Sequence, residues 1–167
     1  MPGLLDGLSS VFPDEPGDRG RLGKAFGAQH YIYLSREDKV AQAVSLVLAK
    51  QTGLWHLNAD GSIRQQSGKK SVPVYDQHAI AQELEMLEAE ARGWADWFER
   101  EQIKPVDLSY EQLASDPIGA LQSILQGIDC GEGRQSIKVN TAQTRSEINQ
   151  QWIERFKTES DSNSQGA

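Results

Sequence analysis

Cysteine is almost absent. Cys130 is the only one in 167 residues, which excludes an intrachain disulfide and makes a reducing cytoplasm the expected setting. Long apolar runs are missing too: none approaches the roughly 20 residues of a membrane span, so no membrane insertion is expected. The opening MPGLLDGLSS lacks the basic flank and long apolar core of a secretory signal. Positive charge is in deficit, with 17 Lys and Arg against 24 Asp and Glu for a net charge of -7. That balance speaks against broad binding to nucleic acid or to anionic membranes, and an anionic nucleotide would need a local positive pocket. His30, His56, His78 and Cys130 share no metal-ligand spacing, so no metal site is expected. The segment SGKKS, Ser67 to Ser71, is no phosphate-binding P-loop, because six residues instead of four separate Gly61 from Gly68 and no strand-to-helix pattern surrounds it.

What is present is the profile of a soluble globular chain, 38% hydrophobic and 25% charged. Its length suits one domain, placed at residues 1–157, with a polar, Ser-rich tail at 158–167 expected to be disordered. The organising stretch is Tyr31 to His56. Tyr31 to Leu34 reads as a short buried strand, ended by the charged cluster Arg36 to Lys39. Ser35 offers an N-cap oxygen and Asp38, three residues later, an acidic capping box. From Val40 to Ala49 apolar residues occupy nearly every side, as in a helix buried all round. At the strand end Arg36 presents a planar, always-charged fork suited to phosphate or sulfate, and Ser45 further along could donate a hydroxyl to the same anion. Two plainer readings stand beside this one: a solvated helix start at Arg36, and a Ser45 hydroxyl bonded to the carbonyl one turn back.

Around this unit the chain reads as follows. Two short helices are expected at Leu4 to Phe12 and Arg19 to Phe26. A hairpin over the sheet edge should turn at Asp60-Gly61. A long helix from Asp76 or Gln77 to about Glu101 carries the seam Ile80, Leu84, Leu87, Ala91, Trp94 and Phe98, which fits core packing or a homodimer. A second strand spans Pro105 to Tyr110. Ser115, Asp116 and Pro117 then start a helix, with Asp as cap and Pro at the first position, where no N–H is needed. Residues Cys130 to Gln143 look like a polar loop, and a last helix runs from Glu147 to Lys157.

Three of these segments carry a resemblance. SREDKVAQAVSL followed by QTGLW, SYEQLASDP with its YExLxxDP pattern, and the closing NQQWIERF resemble bacterial sulfotransferases of the trehalose 2-sulfotransferase type. The resemblance covers Phe26 to Phe156. It implies an α/β fold: part of the P-loop-NTPase-like sulfotransferase architecture, a few-stranded parallel sheet with predominantly helical cover. It implies transfer of a sulfuryl group from PAPS (3'-phosphoadenosine 5'-phosphosulfate) to a carbohydrate hydroxyl, with a sugar or glycolipid-precursor acceptor such as trehalose. Arg36 and Ser45 would take the donor's 3'-phosphate, and Arg134, Lys138 or Arg145 would add a positive contact from a late loop. Gln51, Trp55 and His56 would line the acceptor pocket, alongside Thr52 and Gly53. The Gly, Ser and Thr-rich turn that holds the phosphosulfate in such enzymes has no counterpart between Met1 and Gln29. The chain therefore reads as the family's C-terminal portion, and no catalytic base is assigned. The rival readings are a non-catalytic remnant that binds nucleotide or associates through its seamed helix, and an unrelated helical protein.

Overall fold

The computed structural model describes residues 2–57, 63–66, 71–128 and 147–164. Helices α1 (Pro2–Val11) and α2 (Asp18–Phe26) lead into strand β1 (Ile32–Ser35) and helix α3 (Lys39–Thr52). Strands β2 (Leu54–Leu57) and β3 (Ile63–Gln66) form an antiparallel pair, followed by helix α4 (Gln77–Arg100). Strand β4 (Val106–Ser109), helices α5 (Tyr110–Ser115) and α6 (Pro117–Gly127), and helix α7 (Glu147–Ser164) complete the order. The expected α/β class is present as a two-stranded parallel sheet under helical cover: β1 pairs with β4 in the register Ile32–Val106 to Ser35–Ser109.

Local chemistry explains most boundaries. Asp76 accepts from the Ala79 amide at 3.0 Å and opens α4. Asp116 accepts from the Gly119 amide at 2.9 Å, with Pro117 in the first turn of α6 as the sequence requires. Gly53 closes α3 in the left-handed conformation, φ 69°, which a residue with a Cβ adopts only at a cost. Gly127 ends α6 against β4, where a Cβ would meet Val106 at 2.5 Å.

Three boundaries differ from the sequence reading. The N-cap of α3 is Asp38, which accepts from the Ala41 amide at 2.8 Å, and not Ser35. The Glu37 amide is taken instead by Glu111 across the sheet at 3.1 Å, so residues 36 and 37 stay in a turn and the helix begins later. Tyr110 opens a helix of its own, α5, because Ser109 and Gln112 form a reciprocal capping box that ends the strand one residue early. Helix α7 continues past Lys157 through Ser164, where composition predicts a disordered tail. The added turns are tied down by Glu159, which accepts from Tyr75 Oη at 2.7 Å and from Arg155 Nε at 2.7 Å. The turn expected at Asp60-Gly61 lies outside the described residues.

Two apolar clusters flank the sheet. One joins α3, α4 and α7 through Val44, Val47, Leu48, Ile80, Leu87, Trp152 and Phe156. The other gathers Leu8, Leu22, Trp97 and Ile103, with Tyr31, Trp94 and Phe98 packed around them. The seam of α4 thus packs against the chain's own clusters: Ile80 and Leu87 are buried in the first, and the half-buried Trp94 and Phe98 pack against the second.

Candidate functional site

At the carboxyl ends of the two parallel strands lies a cleft of about 310 Å³. This is where open α/β sheets present ligand sites, because the loops that follow the strands converge there. Tyr33, Ser35 and Arg36 come from β1 and its turn, Gln42 from α3, Trp94 from α4 and Tyr110 from α5.

Arg36 is held between an aromatic ring and a counter-charge. Its guanidinium carbon sits 4.7 Å from the centre of the Tyr110 ring, a cation–π arrangement. Its Nε lies 3.8 Å from Glu111 Oε1, close enough for charge attraction and too far for a hydrogen bond. That Nε is buried and has no hydrogen-bond partner, and only 22% of the side chain is exposed. The other half of Glu111 is occupied by the Glu37 amide. Burial alone would raise the Glu111 carboxyl pKa. The backbone N–H bonds it accepts and the nearby Arg36 charge outweigh that and hold it below the usual carboxylate range. Glu111 is therefore a fixed anion that orients Arg36 while leaving the guanidinium's donors open. Gln42 adds a second buried polar atom to the same cleft, its Oε1 without a partner.

The motif YExLxxDP, a marker of the resemblance in the sequence, thereby gains a physical role. Tyr110 is the shelf beneath Arg36 and Glu111 the clamp that joins the β4 turn to the β1 turn. The signal was present as an aromatic residue next to an acid at the end of a strand. Without knowing that β4 pairs with β1, nothing in the sequence says which cation they meet.

The other expected site residues are dispersed. Ser45 is not on the cleft wall; it faces α7, where its Oγ accepts from Asn149 Nδ2 at 3.3 Å. Gln51 donates from Nε2 to the Val74 carbonyl at 2.9 Å and accepts the Val74 amide at 2.8 Å through Oε1, so its amide holds backbone instead of facing an open pocket. Thr52 is likewise spent on the helix end, between the Leu48 carbonyl and the Leu54 amide. Trp55 is 39% exposed on β2. His56 lies in the same strand, and its side chain is outside the described residues. These acceptor candidates stand at the C-terminal end of α3 and Arg36 at its N-terminal end, roughly 20 Å apart by the rise of a helix of 14 residues. Arg134, Lys138 and Arg145 lie outside the described residues. Among the described residues no group of His, Cys, Asp or Glu is arranged to hold a metal ion, and no helix is long and apolar enough to cross a membrane.

Comparison with known proteins fits this picture. The chain is similar to the trehalose 2-sulfotransferase of Mycobacterium tuberculosis, 28% identical over 162 residues, which covers 93% of this chain and 57% of that protein. It is also similar to the trehalose 2-sulfotransferase of Mycolicibacterium smegmatis, 30% identical over 128 residues, 75% of this chain and 45% of that protein. The chain thus spans about half the length of the curated relatives it matches. The model of the Stf0 sulphotransferases matches residues 1–159, and with the strand, clamp and capped helix in the order just described, the chain belongs to that family.

Proposed function

We propose that this chain carries the 3'-phosphate subsite for PAPS in a sulfotransferase that acts on a carbohydrate hydroxyl, with a trehalose-like sugar as the acceptor class. The observation that carries the reading is Arg36: a guanidinium on the wall of a cleft at the carboxyl end of a parallel strand pair, held by Tyr110 and Glu111 without a hydrogen bond to either. A cation held this way favours an oxyanion, because its desolvation cost is recovered when charged hydrogen bonds form. The names of the two relatives support the sugar acceptor.

In the reaction the acceptor hydroxyl oxygen bonds to sulfur while the bond from sulfur to the bridging phosphate oxygen breaks. The hydroxyl proton passes to a base, and adenosine 3',5'-bisphosphate leaves. The work of the protein in such a transfer is positioning and charge stabilisation. Arg36 would fix the nucleotide end of the donor, oriented by Tyr110 and Glu111. Lys39, on the wall of the same cleft, would add positive potential opposite Glu90 of α4. The opposite edge of β1 has no strand paired to it among the described residues. A further parallel strand added there would bring its own following turn beside Arg36, the position suited to the phosphosulfate. Arg134, Lys138 and Arg145 remain candidates for the nucleotide's other face, and Trp55 for a sugar-stacking surface away from this cleft.

Titration calorimetry with adenosine 3',5'-bisphosphate tests the reading. Saturable binding should weaken by about tenfold or more in Arg36→Ala, the loss expected for charge-assisted hydrogen bonds. Absence of binding to the unaltered chain, or unchanged affinity in the variant, would remove the assignment. A sulfate-transfer assay with PAPS and trehalose then separates an enzyme from a chain that only binds.

A further inference from the structure

The amino ends of the same two strands border a second, larger hollow of about 440 Å³ that the proposed reaction does not use. Its wall contains an oriented donor with nothing to bind. Tyr31 Oη donates to Gln29 Oε1 at 2.6 Å, which fixes the amide and leaves Nε2 facing the other way. That Nε2 is buried and has no hydrogen-bond partner. A buried amide N–H normally has an acceptor, and because Gln29 lines the hollow, a small turn of its side chain would bring this donor to an oxygen held there.

The charges around the hollow point to the kind of oxygen. Arg19, His30 and Lys104 line it, and no Asp or Glu does, in a chain where acids outnumber Lys and Arg by 24 to 17. Lys104 forms no ion pair among the described residues. Arg19 donates one N–H to the Gln102 carbonyl at 3.1 Å and keeps its other donors. Glu101, which meets Arg19, is already engaged: one oxygen takes the Arg19 backbone amide at 2.9 Å and the other pairs with Arg100 Nε at 3.3 Å.

We propose that this hollow binds a small ester of sulfate or phosphate, such as a sulfated or phosphorylated monosaccharide. Gln29 Nε2 would donate to an ester oxygen, with Lys104, Arg19 and His30 supplying the positive field. The volume suits a ligand of sugar-phosphate size. Residues Tyr31 to Arg36 span the sheet between the hollow and the Arg36 cleft, roughly 16 Å at the rise of a strand, so the two sites can be tested separately.

The test is a titration of the whole chain with glucose 6-sulfate and, separately, glucose 6-phosphate, followed by amide chemical shifts. Saturable shifts around Gln29, Tyr31 and Lys104 are expected with at least one ester. Binding should weaken about tenfold or more in Lys104→Glu and in Gln29→Glu, since each exchanges a donor for a negative charge. The variant Arg36→Ala should bind the ester as the unaltered chain does. Lys104 is exposed, so its replacement leaves packing intact, and circular dichroism checks the Gln29 variant. A response to one ester alone supports the site and identifies the anion. No saturable shift with either ester, or equal affinity in both variants, overturns the proposal.

Discussion

The two ends of the parallel strand pair solve the problem of holding a donor for an anion in different ways. At the carboxyl end the donor is a charge whose position is fixed twice, by the Tyr110 ring below it and the Glu111 carboxylate beside it, both delivered by the neighbouring strand. At the amino end the fixed donor is a neutral amide, steered by Tyr31, while His30 and Lys104 sit on exposed side chains. Ordering exposed chains costs conformational entropy when a ligand arrives, and the clamped guanidinium has met most of that cost in advance. Preorganisation thus distinguishes the ends more than net charge does, and the Arg36 end should be the more selective.

Substitutions can break or sharpen this contrast. The largest effect is expected from Glu111→Ala, which leaves the Glu37 amide without its acceptor and Arg36 without its counter-charge. Stability should fall by about 1–3 kcal/mol in urea denaturation, whereas Lys104→Ala should change it by less than about 0.5 kcal/mol. Equal losses would mean that the clamp is no more ordered than the exposed lysine. Next comes Ser109→Ala, which removes one half of the capping box that ends β4 and aims Tyr110 and Glu111. A cost of about 1 kcal/mol is expected by thermal unfolding, with a parallel loss of bisphosphate affinity. Tyr110→Leu keeps apolar bulk but discards the ring's charge distribution, and about 0.5–1 kcal/mol of nucleotide affinity should go with it, measured by calorimetry. The smallest effect is on the acid limb of the stability curve. Because the Glu111 carboxyl is held below its ordinary pKa in the folded chain, its contribution is complete above that ordinary value and is lost as pH falls through the depressed one. Glu111→Gln should therefore flatten the acid limb below about pH 4 and leave its shape near neutrality unchanged, as denaturant titrations at successive pH values would show.

How much of this was legible in the sequence depends on how local the cause is. Helices α4 and α6 could be read to within one or two residues, because caps such as Asp76, Asp116 and Pro117 act through their own backbone, and α1 and α2 lie between Gly and Pro breakers that are equally local. Arg36 at the end of a strand was legible as well, but its own neighbours left a solvated helix start equally open, and the cleft beside it is made by α3, α4 and α5. The misplaced start of α3 was not, because the competing acceptor for Glu37 lies 74 residues away in Glu111. Ser45 shows the limit of spacing arguments: distance along α3 does not reveal that α7 meets the helix on that side and places Asn149 against the hydroxyl. The amide of Gln51, chemically suited to a sugar hydroxyl, is equally suited to a backbone, and only the course of residues 71–76 decides between them.

That side chain at position 51 has one further consequence. By offering a carbonyl and an N–H together to residue 74, it imitates one rung of a sheet, so the approach to α4 is stapled to the end of α3 whatever course the chain follows between β2 and β3. A glutamate there could take the Val74 amide but would repel its carbonyl, and an alanine would release both. Connections of different length could therefore be exchanged on either side of β3, at residues 58–62 or 67–70, without shifting the helix that walls the Arg36 cleft, provided the glutamine stays.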